Sequence, residues 1–72
     1  MTKGRQPVRR VIQHKRTGDY LMESGEWTPD IEQALHLPSV VAAVRLVRRL
    51  DLKDVQVVLN FNGGQDDVRL DL

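Results

Sequence analysis

The sequence predicts an α+β fold, with one main helix laid on one face of a mostly antiparallel sheet in the order β-β-(β)-α-β-β. Three observations carry this. Residues 39–50, SVVAAVRLVRRL, repeat apolar side chains at helical spacing. Residues 55–61, VQVVLNF, alternate as a half-buried strand does. Asn62-Gly63-Gly64-Gln65 then offers the backbone freedom of a tight hairpin turn before a second alternating run.

From the amino end, residues 1–7 contain Gly4 and Pro7 without apolar periodicity, and read as a loose segment preceding a single small domain over 1–72. Residues 8–15, VRRVIQHK, are rich in β-branched side chains and predict a strand. Arg16-Thr17-Gly18 is a turn, with Gly18 free to take positive φ. Residues 19–23 return as a second strand, Tyr20 and Met22 on one face and Leu21 on the other. Ser24-Gly25 turns again, and Glu26-Trp27-Thr28 makes a short third strand.

Thr28-Pro29-Asp30 has the pattern of a helix start, so a short helical turn is expected over residues 29–35 with Ile31, Ala34 and Leu35 inward. Pro38 holds Leu37 extended, and Ser39 caps the main helix with its hydroxyl. On a helical projection Val40, Ala43, Val44, Leu46, Val47 and Leu50 share one arc, opposite Arg45, Arg48 and Arg49. The arginines lie toward the carboxyl half, where positive charge suits the helix dipole. Four valines lower the intrinsic helix propensity, so this helix needs a surface to lie on. Trp27, Tyr20, Met22, Ile12, Val55, Val57, Leu59 and Phe61 are expected to supply it. Val68, Leu70 and Leu72 alternate with Arg69 and Asp71 in a last strand. Val11, Leu21 and Val58 would face away from the helix, forming a candidate interaction surface, such as a dimer contact.

Net charge is +1, but charge is segregated along the chain. Lys3, Arg5, Arg9, Arg10, Lys15 and Arg16 precede any acid. Asp19, Glu23, Glu26, Asp30 and Glu32 follow without a base, the helix is basic, and residues 54–72 hold four acids and one arginine. Two readings are open. Neighbouring strands of opposite sign pair across the sheet. Alternatively, Arg9, Arg10, Lys15, Arg16, Arg45, Arg48 and Arg49 contact nucleic-acid phosphates. Aromatic groups for base stacking are few, and Tyr20, Trp27 and Phe61 sit at positions expected in the core.

Catalytic equipment is not visible. There is no cysteine for a thiolate, disulfide or zinc site. His14 and His36 have no neighbours at ligand spacing, and Ser24 and Ser39 fit a turn and a cap. The oxygens of Asn60, Asn62, Asp66 and Asp67 do not follow the calcium-loop spacing. A phosphate cradle at Gly63-Gly64 would need a helix to follow, and a strand follows instead. No cofactor or metal is expected, and no enzymatic activity. The basic start lacks an apolar run of the signal-peptide kind, and no stretch approaches a membrane span, so a cytoplasmic location without membrane contact is expected. The partner would be a second protein or a second copy of the chain, held through a sheet face or the free edge of an outer strand, with nucleic acid as the alternative.

Residues Tyr20-Leu21-Met22, Gly25-Glu26-Trp27-Thr28, Ala34-Leu35-His36-Leu37-Pro38-Ser39 and Ala42-Ala43 together resemble small uncharacterised bacterial and phage α+β domains. In those, a hairpin ending in Gly-x-Trp-Thr precedes a capped helix. The resemblance spans roughly residues 20–60 and implies the fold alone. Three short strands followed by a helix also resemble the arm-type N-terminal domain of phage integrases, which implies DNA contact through the sheet. The chain departs from that pattern in placing Glu23, Glu26 and Asp30 around its third strand.

Overall fold

One antiparallel sheet organises the chain, and a computed structural model describes residues 8–61 and 67–72 of it, with residue 61 as backbone only. The expected loose segment 1–7 and the hairpin turn at 62–65 lie outside the described residues. The strands are β1 (Val8–His14), β2 (Tyr20–Leu21), β3 (Trp27–Thr28), β4 (Val55–Phe61) and β5 (Val68–Asp71), in the spatial order β3-β2-β1-β4-β5. The helix α1 (Val40–Leu50) connects β3 to β4, as the α+β reading requires.

The two longest strands form the centre. β1 and β4 pair over their whole lengths, from Val8 opposite Phe61 to His14 opposite Val55. These are the β-branched runs, whose stiff side chains pack well on a pleated surface. β2 and β3 shorten to two residues each and β5 to four, so the sheet thins toward both edges.

α1 begins where Pro38-Ser39 predicts. The Ser39 hydroxyl accepts from the Ala42 amide at 3.1 Å, satisfying one of the otherwise unpaired donors of the first turn. At the other end Asp51 turns left-handed (φ 53), the Asp51 amide reaches Arg48 and the Leu52 amide reaches Val47 at 3.0 Å. These two bonds make a Schellman stop, and Leu52 returns into the core beside Val47 as that motif requires.

The sheet has a core on each face. On the helix side Ile12, Leu21, Ala43, Val55 and Val57 are buried, with Trp27, Leu37, Leu46, Val47, Leu52 and Leu59 packed around them. On the far side Val11, Val58 and Ala34 are buried, with Tyr20 and Ile31 against them. The expected turn at 29–35 is a 3₁₀ turn over Ile31–Gln33, and it is the lid of this second core. Its cap is Asp30, whose carboxylate accepts from the Glu32 amide at 2.9 Å. The Thr28 hydroxyl accepts from the Asp30 amide and donates to Gln33 Oε1 at 3.0 Å. After the lid, the Leu35 amide bonds to Leu21 and the Leu37 amide to Arg10. The chain thus crosses to the helix side in the space beside β1 where β2 has stopped.

Three expectations are corrected here. Tyr20 lies on the far face and Leu21 on the helix face, the reverse of the predicted assignment. The cause is register: β2 pairs with Tyr20 opposite Gln13, so Tyr20 shares the face of Val11, and a slip of one residue inverts every side chain. Leu50 projects into solvent at the end of α1, although it falls on the apolar arc. Val11, Leu21 and Val58 are 0 %, 2 % and 1 % exposed, so they are core residues and not a surface.

Candidate interaction surface

The same layering decides what remains outside. α1 is centred over β1. A helix with side chains is about 10–12 Å across, while five strands at about 4.8 Å spacing span roughly 19 Å. One helix therefore cannot roof the whole sheet, and the strip left open is at β5. Val68 and Leu70 face the helix side, opposite Leu59 and Val57, yet they are 41 % and 36 % exposed. Leu72 continues the row at 46 %, and Val41 on α1 is 60 % exposed. Between helix and strand runs a groove of about 310 Å³ lined by Val44, Val47, Arg48, Asp71 and Leu72.

The sequence allows for an interaction at the free edge of an outer strand but does not reveal this exposed apolar row, because the alternation in β5 reads as one more core-facing strand. The signal that finds it is the width argument, since a single helix was already evident.

The basic residues separate into two groups. Those of β1 and the turn after it are engaged. The Arg9 guanidinium grips both oxygens of Glu32, at 2.7 and 3.1 Å, and ties β1 to the 3₁₀ lid. Lys15 meets Asp71 at 3.0 Å, and Arg16 meets Asp54 at 3.6 Å. Each pair joins the basic amino-terminal block to one of the acidic blocks. Arg10 is half-buried. Arg45, Arg48 and Arg49 stand exposed on α1, and no ion pair among the described residues involves them.

The histidines are apart. His14 is half-buried with its ring edge-on to Trp27 at 5.3 Å, and its Nδ1 accepts from the Arg16 amide at 3.1 Å. That acceptor role makes Nε2 the protonated nitrogen of the neutral ring. His36 is exposed. Among the described residues no cluster of histidine, aspartate and glutamate is arranged to hold a metal ion. No helix of the described residues is long and apolar enough to cross a membrane.

Compared with known protein families, curated proteins and solved structures, the chain matches none. Its site must therefore be read from its own geometry, and that geometry consists of an open edge strand beside an apolar groove.

Proposed function

We propose that this chain is a non-enzymatic protein-interaction domain that takes an extended segment of a protein partner onto β5. The observation behind this is the row Val68, Leu70 and Leu72, exposed on an edge strand next to the groove under Val44 and Val47. An added strand gains main-chain hydrogen bonds from the edge, and its alternate side chains gain apolar contact with the groove. A cytoplasmic setting goes with this reading.

Selection of random peptides against the full chain tests it. Enriched peptides are expected to alternate apolar and polar residues and to lose about tenfold in affinity against Leu70→Lys, the scale of one lost apolar anchor. Peptides that bind Leu70→Lys equally well refute it, as does the absence of enrichment by a chain that is monomeric at the selection concentration.

The second reading is an accessory nucleic-acid-binding domain, favoured by Arg45, Arg48 and Arg49 standing exposed on one helix. It receives less support, because Arg9, Lys15 and Arg16 are engaged by acids. DNA and RNA titrations at low salt check it, where phosphate contacts are strongest. Binding that survives Arg48→Glu with Arg49→Glu excludes the helix, and an absence of binding ends the reading.

A further inference from the structure

We infer that the extended segment taken by β5 is β5 of a second copy of this chain, paired antiparallel about a two-fold axis at Leu70. The inference rests on the interaction reading above and names its partner.

Among the described residues, the edge is available on the β5 side only. At the opposite edge β3 is two residues long and is followed by Pro29, which has no amide hydrogen to donate. β5 offers four residues, and Leu72 extends its row.

The backbone directions follow from β1. The His14 amide donates to Asp19 and the Arg10 carbonyl accepts from Leu37, so even-numbered residues of β1 point toward the β2 side. The Lys15 amide donates to Asp54, so odd-numbered residues point toward β4. In an antiparallel ladder these directions alternate strictly. Carried across the pairs Val57–Leu70 and Leu59–Val68, they turn the main-chain groups of Leu70 and Val68 inward to β4. Those of Arg69 and Asp71 point outward at the free edge.

With the axis at Leu70, Arg69 of one copy stands opposite Asp71 of the other, and the reverse. Both positions then exchange main-chain hydrogen bonds, using the groups that point outward. Their side chains share the far face, so each guanidinium meets a carboxylate. The Asp71 side chain is 77 % exposed and uses Oδ1 for Lys15, which leaves Oδ2 for the second copy. On the helix face Leu70 meets its own counterpart as a closely spaced non-hydrogen-bonded pair, and Val68 meets Leu72. The registers adjacent to it fail on charge or on pleat. An axis at Arg69 sets arginine against arginine and Asp67 against Asp71. An axis at Asp71 sets acid against acid. An odd slip brings apolar side chains to the charged face. Charges on an edge ordinarily discourage pairing. In this strand their order favours the axis at Leu70, which pairs the whole row Val68–Leu72; an axis at Val68 also sets Arg69 against Asp67, but it leaves Leu70 and Leu72 without apolar partners.

The test uses sedimentation equilibrium of the full chain from micromolar to millimolar concentration, with circular dichroism confirming that each variant is folded. The wild type is expected to associate to a dimer. R69D and D71R each set like charges opposite one another at both symmetry-related positions, and each is expected to weaken the dimer by about tenfold or more. An equimolar mixture of R69D with D71R presents acid against base again, and is expected to associate as a heterodimer although neither variant does so alone. The double variant R69D/D71R is expected to regain the homodimer. A wild type that stays monomeric, a dimer indifferent to both single changes, or a mixture that fails to associate overturns the inference. A monomeric wild type that still binds peptides through Leu70 overturns the second copy as partner while strand capture stands. A chain with neither property overturns both.

Discussion

Replacing Val58 with alanine separates a core residue from a surface residue at the centre of the sheet. Val58 is 1 % exposed, beneath Ala34 and beside Val11. Two carbons are lost, at about 0.8 kcal/mol each for transfer from water. The space left behind adds roughly 1 kcal/mol if the 3₁₀ lid does not collapse onto it. The expected cost is therefore about 2–3 kcal/mol. A domain of this length has only about 3–5 kcal/mol to lose. At about 4–8 °C per kcal/mol, the melting temperature should fall by roughly 10–20 °C. Thermal and urea unfolding followed by far-ultraviolet circular dichroism read this directly, with the urea m-value unchanged. A variant that melts within about 2 °C of wild type, less than 1 kcal/mol on the same scale, refutes the burial argument and returns Val58 to the surface.

Further outcomes follow from the local geometry. Ser39→Ala removes the acceptor for the Ala42 amide and should cost about 1 kcal/mol, while Ser39→Asp retains it; urea midpoints compare the three. Asp51 sits in left-handed backbone at φ 53, so Asp51→Gly should raise stability by up to about 1 kcal/mol, read as a higher urea midpoint. Thr28 is buried and its hydroxyl serves both the Asp30 amide and Gln33. Thr28→Val keeps the shape and leaves those groups unpaired, for a loss of about 1–3 kcal/mol, with faster amide exchange at Asp30. Arg9→Ala breaks a two-toothed grip on Glu32, but Glu32 is 66 % exposed, so the loss should stay within about 1 kcal/mol and shrink as salt is added.

Much of the fold is written locally. The 3.6-residue spacing of Val40, Ala43, Val47 and their neighbours, the cap at Ser39 and the proline before it determine α1 to within a residue. The alternation of VQVVLNF determines β4, and the exposed Arg45, Arg48 and Arg49 follow from the same projection that defines the apolar arc. These features depend on neighbours in the chain, and the backbone periods of 3.6 and 2 expose them.

Register and coverage are not local. Whether Leu21 or Tyr20 faces the helix depends on which residue of β1 stands opposite, and the turn between them admits pairings that differ by one residue and invert the faces. Whether Val11 and Val58 form a surface or a core depends on Ile31 and Ala34, about 20 or more residues away along the chain, folding back across them. Val68 and Leu70 carry the alternation of buried strand residues, and they stay exposed because the helix lies over β1. Local spacing of apolar and polar residues defines the elements and their amphipathic faces. Which faces are covered is settled by packing, because covering a face requires apolar area from a distant segment, and the described residues supply one helix and one short lid to share between two sides of a five-stranded sheet.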